Sequence, residues 1–585
     1  MHRNDWGARR GTLLDMTRIP PPISASDSAA SGGTFAVASG RASAPGSVPP
    51  QADLGTHEVT NQPAPMGDGD LFTADPALRC HAAASGADME HLAHFGGRIG
   101  TEEMRAKARA AQRYKPELIT HDAGGRRIDE VTFHPAYHDL MQAGIGGGMA
   151  ALPWEGARGG HATHAAMLYQ MTQIEPGVCC PLTMTYAAVP ALKANPKLLQ
   201  DWVPKLTSRR YDGSARALTR KAGATLGMAM TEKQGGSDLR RTATTAVPAE
   251  GHYRLTGHKW FCSAPMSDGF LTLAQAQGGL TCFLVPRWLE GTRNGIRIQR
   301  LKDKLGNQAN ASSEIEYDGA LAYRLGAEGA GVKTIIEMVH HTRLDTAIAP
   351  AGLMRAALVQ AHHWATHRTA FQKRLIDQPM MQSVLADLAL EAEGTLALSL
   401  HVAQSFDSGT ESGRAFSRIG VALAKYLGNR LCPQVVFEAM ECMGGSGYVE
   451  EGPMPMLYRE APLNSIWEGS GNVICLDILR TLVKAPATAE ALSNELTLAA
   501  GVNRHFDAAI KTHMARFPRL PDEAQARWYA ESLASLLTAA VLIRKAPAPV
   551  SEAYVSSRLA GARGRTYGTM QGVDTAPLVA RITQG

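Results

Sequence analysis

The sequence predicts an α+β protein, in which a helical region, a β region and a second helical region follow one another and an extra helical unit ends the chain. Apolar residues recur at helical spacing in the first and later parts of the sequence. Only in the central part do short runs alternate between apolar and polar residues, with Gly, Asn and Asp between them. Since the chain has 585 residues, of which 44% are hydrophobic, it is long enough to bury several cores.

Changes of pattern divide the chain into five segments. Residues 1–56 are rich in Ala, Ser, Gly and Pro, which predicts a disordered extension; a targeting peptide and a start at Met16 are the alternatives. The other segments are a helical domain over 57–225, a β-barrel-like domain over 226–329, a helical bundle over 330–482 and an extra helical unit over 483–585.

Particular runs support these assignments. In the β segment, the apolar run 282–285 is closed by Pro286, which is typical of a buried strand. Pro486 interrupts the helical pattern ahead of the last segment. In the second helical segment, residues that step by four, three and four positions predict one buried helix face: Met381, Leu385, Leu388 and Ala392.

Composition excludes several classes of protein. No apolar run approaches the roughly 18 to 20 residues that cross a bilayer, since the run 536–543 is followed by Arg544 and Lys545. The eight cysteines form no CxxC pair and have no zinc-finger spacing to histidine, which predicts no metal site, a reducing compartment and hence the cytoplasm. The net charge of +5 permits an anionic partner without requiring one.

Four stretches combine glycine with polar or aromatic residues as a cofactor site would. The stretch 228–238 runs into a Gly-Gly turn whose amides and hydroxyls can meet a polar ring edge or a phosphate. The indole in 257–263 offers a flat wall, and the glycines of 441–448 stand at a helix end. The stretch 464–472 carries Glu468 among apolar residues, which would raise its pKa toward that of a general base. Taken alone, each is more typical of a hairpin turn, a core tryptophan, a helix C-cap or a helix-dipole partner.

Taken together, in this order and spacing, the stretches resemble the acyl-CoA dehydrogenase family of flavoproteins. The family shows a Thr-Glu-Pro-x-Ala-Gly-Ser-Asp turn, a Trp-Ile-Thr strand, a Lys-Leu-Gly segment, an Arg-x-x-Phe-Gly helix, a Gly-Gly-x-Gly-Tyr loop and a Tyr-Glu-Gly-Thr segment. The corresponding residues here are 231–238, Trp260, 304–306, 368–371, 444–448 and 467–470.

The resemblance is closer to the alkylation-response, AidB-type branch of this family. That branch replaces the Pro-containing turn by Thr-Glu-Lys-Gln-Gly-Gly-Ser-Asp, as residues 231–238 do, and it has the extra helices after about residue 480. Further segments that resemble the branch are 61–63, 133–135, 300–307 and 464–472. The resemblance therefore covers nearly everything beyond residue 56.

The resemblance implies FAD between the β-barrel-like domain and the helical bundle, with an acyl-CoA or similar thioester as substrate. Because Arg368 and the pair Gly444 and Gly445 would reach the FAD diphosphate of a neighbouring subunit, it also implies a homo-oligomer, a tetramer built as a dimer of dimers. In one alignment Cys262, and not Ser263, takes the place of the family's Thr. The implied FAD contacts are Met228, Met230, Thr231, Gln234, Gly235, Gly236, Ser237, Trp260, Phe261, Cys262, Ser263, Arg368, Gly444, Gly445, Trp467, Gly469, Ser470 and Asn472. The implied substrate contacts are Thr231, Ser237, Ser263, Arg343 and Arg480.

By the same resemblance, Glu468 is the catalytic base. It would take the α-proton of the thioester while the flavin accepts the β-hydride, with donors on the thioester oxygen stabilising the enolate-like charge. Some family members carry the base one residue before a helix arginine, but this chain has Thr342 there. Departures from the family pattern predict weak turnover: Trp467 for Tyr, which narrows the acyl pocket, His340 for an acidic residue near the adenine, Glu441 for Gln near the diphosphate, and Gln372 and Arg374 after the helix arginine.

Three functions agree with these observations. The first is an acyl-CoA dehydrogenase-type oxidoreductase, the second a flavoprotein that binds double-stranded DNA and protects it from alkylation, and the third a member that has lost FAD. From residue 481 on, twelve Lys and Arg stand against eight Asp and Glu. This excess predicts either a DNA-binding unit or an ordinary charged helical surface.

Overall fold

The computed structural model describes residues 51–583. The chain separates into two units that divide after Thr60. In the first unit, a bridge between Asp53 and Glu58 closes a turn. The predicted disordered extension lies outside the described residues apart from 51–56. The fold described below is that of the second unit.

The N-terminal part is helical and contains one β-hairpin. Side-chain oxygens of Asp75, Asp88, Thr101 and Asn195 cap the first turns of four of its helices. Its elements are α1 (Pro76–Ala84), α2 (Met89–Ile99), α3 (Glu102–Arg113), β1 (Glu117–His121), β2 (Arg127–Thr132), α4 (Pro135–Gly147), α5 (Gly160–Ile174), α6 (Pro176–Leu192) and α7 (Pro196–Leu206).

The hairpin β1–β2 was not predicted from the sequence, which indicates a helical domain over this segment. Its strands alternate in exposure and are joined by a turn in which Asp122 accepts from the backbone of Gly124 and Arg126. Val131 is buried in the core of the central sheet, and Arg127 donates to the carbonyl of Ile298 at 2.8 Å. The hairpin thus forms part of the wall of the β domain.

The central part is a seven-stranded sheet that closes on itself. Strands β11, β5, β4, β6 and β7 form a ring, because β7 pairs with both β6 and β11, while β10 and β3 extend it at the two sides. Ser312 of β11 pairs with Ser263 of β5. The strands of the sheet are β3 (Leu226–Ala229), β4 (Thr245–Ala249), β5 (His252–Ser263), β6 (Gly269–Ala276), β7 (Gly279–Pro286), β10 (Ile296–Leu301) and β11 (Ser312–Leu325). Between β7 and β10, β8 (Trp288–Leu289) and β9 (Thr292–Arg293) pair with each other as a separate two-stranded sheet.

Long helices follow and form a bundle. The predicted apolar face lies on α9, where Leu385, Leu388 and Ala392 are buried and Met381 packs against the same core. The elements are α8 (Gly331–His367), β12 (Thr369–Ala370), β13 (Lys373–Arg374), α9 (Pro379–Asp407), α10 (Glu411–Cys442), α11 (Gly445–Tyr448), α12 (Met454–Glu460) and α13 (Gly471–Lys484).

Helix α8 continues through a proline. Pro350 has no amide hydrogen, so the carbonyl of Thr346 lacks its partner within the helix. The side-chain amide of Asn429, from α10, donates to this carbonyl at 2.9 Å. A tertiary contact thus completes the hydrogen bonding of α8.

The last helices share the core of the bundle. Leu533, Leu537 and Tyr554 belong to the same buried cluster as Leu400 of α9 and Leu423 of α10. The helices are α14 (Pro486–Thr497), α15 (Arg504–Arg516), α16 (Ala526–Lys545), α17 (Ala548–Tyr554) and α18 (Ala576–Ala580). None of the helices in the described part of the chain has both the length and the apolar character of a membrane span.

Candidate active site

A cavity of about 680 Å³ lies between the sheet, α6, α8 and the loop that leads into α13. Its walls are largely apolar, with polar groups at a few positions, as in small-molecule sites generally. The following predicted residues line it: Met228, Met230, Thr231, Gly236, Ser237, Phe261, Ser263, Arg343, Trp467, Glu468, Gly469 and Ser470.

Strand alternation decides between the two alignments at the end of β5. Phe261 and Ser263 line the cavity, whereas Cys262 points to the opposite face and is buried in the core of the sheet. Burial raises the pKa of the Cys262 thiol to about 12. The side chain of Cys262 therefore has no access to a ligand in the cavity, and Ser263 is the residue that has.

Other predicted residues lie outside the cavity wall. Trp260 has the ammonium of Lys302 at 3.2 Å from its ring centre, and Arg480 is exposed on α13. Asn472 accepts from Arg527 at 2.7 Å. The remaining predicted residues outside the wall are Gln234, Gly235, Arg368, Gly444 and Gly445.

The turn after β3 presents hydroxyls to the cavity. A Cβ on Gly236 would stand 2.5 Å from the hydroxyl oxygen of Thr231, so only glycine allows this close approach. Beneath the turn, Glu232 is buried and accepts from Lys259 at 2.7 Å. Burial acts to raise the pKa of Glu232, but the hydrogen bonds and charge of Lys259 outweigh it and lower this pKa to about 2. The ion pair fixes the turn that places Thr231 and Ser237.

Glu468 is held at the cavity wall in an unusual backbone conformation. It is half-buried, and its φ of +57° is one that L side chains rarely adopt. Burial raises the pKa of its carboxyl, while the hydrogen bond from Thr342 and the charges of Lys425 and Arg343 oppose that rise. A carboxylate in this environment is suited to accept a proton from a ligand in the cavity.

Thr342 touches this carboxylate directly. Its hydroxyl lies 2.7 Å from Glu468 Oε2 and 3.1 Å from the carbonyl oxygen of Val339. The hydroxyl has one proton, so it can donate to the ionised carboxylate, or accept from the protonated carboxyl and donate to Val339. Thr342 can therefore satisfy Glu468 in both protonation states.

Sequence reasoning missed the acidic partner of Arg343. Asp477 of α13 accepts from Arg343 at 2.7 Å and from Arg418 of α10 at 2.8 Å. Arg343 also donates through Nε to the carbonyl of Glu468 at 3.3 Å. Asp477 carries no motif signal, because a single aspartate inside an amphipathic helix is typical of solvent exposure.

A second missed group is Lys304, which lines the cavity beside the sheet. Burial lowers its pKa to about 8. Its ammonium donates to the hydroxyl of Ser312 at 3.1 Å, and Ser312 lies 3.2 Å from the hydroxyl of Ser263. Because a lysine ammonium only donates, Ser312 can in turn donate to Ser263, which leaves the Ser263 proton free for an acceptor in the cavity.

One departure from the family pattern lies away from the cavity. His340 is stacked on Phe406 with ring centres 4.5 Å apart, and its Nε2 is 3.3 Å from the hydroxyl of Ser417. Burial lowers the pKa of His340 well below its usual value, so the ring is neutral in this packing.

Comparison with known proteins assigns the chain to a family. Residues 61–213 match the AidB N-terminal domain, described as that of an adaptive response protein, 227–320 match the acyl-CoA dehydrogenase middle domain, and 329–483 match the acyl-CoA dehydrogenase C-terminal domain. The chain is 43% identical over 508 residues to AidB of Escherichia coli (strain K12), covering 85% of this chain and 94% of AidB. The protein belongs to the acyl-CoA dehydrogenase family. Within it, the identity and the N-terminal domain place the chain in the AidB-like branch, which confirms the sequence prediction.

Solved structures confirm the predicted fold class. ACDH-11 of Caenorhabditis elegans, in complex with C11-CoA, has a TM-score of 0.76 at 26% identity, over 91% of this chain and 93% of its own. An acyl-CoA dehydrogenase from Bacillus anthracis complexed with FAD shares the fold, with a TM-score of 0.57 at 18% identity over 73% of this chain and 78% of its own.

The residues of the cavity fit FAD, the cofactor that the family implies. The hydroxyls of Thr231, Ser237 and Ser263 line the cavity and can meet the polar edge of a flat ring. Apolar side chains, among them Met228 and Phe261, suit its faces. The chain is thus an acyl-CoA dehydrogenase-like oxidoreductase with FAD as its cofactor.

Proposed function

We propose that this protein removes hydrogen from the α and β carbons of an acyl-CoA, with Glu468 as the base. The observation that carries the proposal is the Glu468 carboxylate at the wall of an apolar cavity, with its pKa raised by burial. FAD, when bound, supplies the acceptor for the hydride that leaves the β carbon. Acyl-CoA is favoured as substrate because ACDH-11 was solved with C11-CoA.

The chain's own residues account for the proton transfer. Glu468 takes the α-proton, and Thr342 then accepts from the protonated carboxyl while donating to Val339. Ser263 lines the cavity and can donate its proton to a ligand acceptor there when it accepts from Ser312. The apolar walls exclude water, so these hydrogen bonds act at low dielectric.

We expect weak turnover, because Trp467 occupies part of the cavity wall. Its indole Nε1 donates to the side chain of Asn464 at 2.7 Å, which holds the ring in place. The indole is larger than the ring of the tyrosine that the family has at this position, so it leaves less space for a branched acyl group near the reacting carbons. Substrates with a straight acyl chain should therefore react faster than branched ones.

Anaerobic mixing of the holoprotein with a series of acyl-CoAs, followed by visible flavin absorbance, tests this function. Glu468→Gln keeps the size of the side chain and removes the base, so flavin reduction should slow by about 10² to 10³ with FAD content unchanged. Glu337→Gln, at an exposed position of α8, is the matched control and should reduce at the wild-type rate. Equal reduction rates in wild type and Glu468→Gln would exclude Glu468 as the base.

A role in binding double-stranded DNA is the second candidate, and fewer charges support it than the sequence count suggests. Six of the twelve basic residues beyond 480 form hydrogen bonds or ion pairs with other helices of the fold: Arg527, Arg544, Lys545, Arg558, Arg563 and Arg581. Lys511, Arg516 and Arg519 are exposed at and after α15 and carry this proposal. Non-specific, salt-sensitive binding is what such a surface would give.

We also propose that the protein assembles as a homotetramer in the cytoplasm. Among the described residues, no heavy atom would lie within 4 Å of a Cβ at Gly444 or Gly445. Phe371, at the tip of the β12–β13 hairpin, is 93% exposed. Arg368 lies at the same hairpin and donates to the carbonyl of Asn61 at 2.6 Å. These groups lie outside the cavity wall, where a neighbouring subunit's cofactor could reach them. All eight cysteines fall in the described residues and are free, which suits a reducing compartment.

A further inference from the structure

Lys425 is a buried cation whose hydrogen bonds all go to one loop. It lies in the middle of α10 and is 1% exposed. Its ammonium donates to the carbonyl oxygens of Asn464 at 2.7 Å, Trp467 at 3.0 Å and Gly469 at 3.1 Å. An ammonium has three N–H donors, so three acceptors satisfy it completely and favour its charged form.

The loop that Lys425 holds is the one that carries Glu468. Two successive residues, Glu468 with φ +57° and Gly469 with φ +97°, have left-handed backbones. A non-glycine residue keeps such a conformation only where its surroundings fix it. The backbone carbonyls of residues 467 and 469 accept from Lys425, and the carbonyl of Glu468 between them accepts from Arg343. All three successive carbonyls therefore face a cation.

Lys425 acts at a distance from the cavity and through Glu468. Its side chain does not line the cavity, whereas Glu468 does. The charged groups that face it are the Glu468 carboxylate and the guanidinium groups of Arg343 and Arg430. Burial lowers the pKa of Lys425 to about 7, and its positive charge in turn lowers the pKa of Glu468.

We propose that Lys425 is a positioning residue for proton abstraction: its ammonium fixes the backbone of residues 464–469 so that Glu468 meets the cavity, and its charge keeps that carboxylate ionised. The inference rests on the proposed function of Glu468. Lys425 contacts the loop that carries Glu468 and does not line the cavity. Its replacement should therefore affect proton abstraction and not the binding of acyl-CoA.

The test compares Lys425→Met, which removes the charge and all three donors, with Lys425→Arg, which keeps the charge but replaces the compact ammonium by a planar fork. Lys221→Met is the control, because Lys221 is also buried and donates to backbone carbonyls of Asp212 and Ser214, but it pairs with Asp268 at 2.8 Å and lies outside the cavity wall. For each holoprotein, the flavin reduction rate, its dependence on acyl-CoA concentration and on pH, and the melting temperature are measured. The protonation of Glu468 is followed independently by infrared titration of its carboxyl band, assigned by the loss of that band in Glu468→Gln.

Lys425→Met should lower the limiting reduction rate by about 10² with little change in the half-saturating acyl-CoA concentration, since misplacing a reacting group acts on the chemical step. The acidic limb of its reduction rate against pH, and the titration of its Glu468 carboxyl, should both move to higher pH. Lys425→Arg should leave both at the wild-type pH and restore part of the rate. Lys221→Met should lower only the melting temperature.

A Lys425→Met protein that keeps the wild-type rate and the wild-type acidic limb overturns the proposal. Should Lys425→Met fail to fold, Lys425→Arg decides: a lowered rate with an unmoved carboxyl titration supports the three-point hold, and a full wild-type rate overturns it. Glu468→Gln, measured in parallel, distinguishes a failure of the proposed function from a failure of the inference about Lys425. If it reduces flavin normally, the proposed function itself fails; if it is slow while Lys425→Met is normal, only the inference about Lys425 fails.

Discussion

At the scale of single residues, the proposed base depends on its neighbours as much as on its own identity. The family's two base positions are here Thr342 and Glu468, and the structure brings them to 2.7 Å. The threonine thus supports the base with a hydroxyl that works in both protonation states. Thr342 and Trp467, which line the cavity beside Glu468, give two separate predictions.

Replacing Thr342 by Val should move the acidic limb of the reaction to higher pH. The hydroxyl stabilises the ionised carboxylate, so its loss raises the pKa of Glu468, and a larger fraction of the base is then protonated at a given pH. A hydrogen bond to a charged group contributes about 1.5–3 kcal/mol, so the limb should move by about one to two pH units. The pH dependence of flavin reduction measures it. Thr366→Val, which removes a similar intrahelical hydroxyl bond on α8, should leave the limb in place.

Replacing Trp467 by Tyr should widen the substrate range. The smaller ring gives up the bond to Asn464 and frees space in the cavity wall. Reduction by acyl-CoAs with a branch near the reacting carbons should rise by about tenfold relative to straight-chain ones, on the scale of one accommodated methylene group. The ratio of the two reduction rates is the measurement. A ratio equal to that of wild type would show that Trp467 does not limit the acyl pocket.

At the scale of elements, sequence patterns predicted most of the β strands and helices that carry the site. The apolar run at 282–285 is strand β7, and the apolar stripe from Met381 lies on α9. The hairpin β1–β2 was not distinguished from its helical surroundings, because its strands are short and half-exposed and their partner, the central sheet, is distant in sequence. Local pattern cannot reveal a tertiary role of this kind.

The same limit applies within the site. Glu468, Ser237 and Ser263 were found because they lie in glycine-containing motifs, and the structure brings all three to one cavity. Lys425 and Asp477 belong to ordinary amphipathic helices, where a charged residue is typical of an exposed face. Only the packing of α10 and α13 shows that they are turned inward.

The helices after residue 483 bear on the DNA-binding proposal and on how it can be tested. Because they share the buried core of α9 and α10, deleting them would expose that core and say nothing about DNA. Replacing Arg516 and Arg519 by Gln should instead weaken duplex binding equally for all sequences and lower the slope of affinity against salt by about one per arginine. Binding titrations at several salt concentrations measure this.

The control for that experiment is a charge-matched double variant elsewhere on the surface. Arg126 and Arg254 are exposed on the hairpin and the central sheet, and their replacement by Gln changes net charge by the same amount. A specific surface at α15 requires that only the first pair affects binding. An equal effect of both pairs would mean that duplex DNA responds to net charge alone.

At the scale of the whole molecule, the C-terminal residues are attached by buried ion pairs. Arg558 is 7% exposed and donates to the fully buried Asp387 and to Glu391, both on α9. Arg581 pairs with Glu393 of the same helix at 2.6 Å. Burial acts to raise the pKa of Glu393, but the hydrogen bonds from His81 and Arg581 outweigh it and lower this pKa. Its contribution to stability is present above the unfolded pKa and is lost as the pH falls through the folded one.

Replacing Arg558 by Met should destabilise the protein by about 3 kcal/mol, because the buried carboxylates of Asp387 and Glu391 then keep only the guanidinium of Arg563, at 3.8 and 3.3 Å. Denaturant unfolding at neutral pH measures the loss. Arg565→Met, at an exposed position of the same tail, should change stability by no more than about 0.5 kcal/mol. An equally small change in Arg558→Met would show that the pair contributes nothing net.

The proline in α8 has a consequence for how the site comes into being. Asn429, which completes the hydrogen bonding at Pro350, lies one turn after Lys425 on α10. A single helix therefore supports both the part of helix α8 that bears Thr342 and the loop that bears Glu468. Neither half has its full set of hydrogen bonds without α10. Assembly of the proposed site is therefore a tertiary event: the geometry for proton abstraction depends on the docking of α10 against both segments.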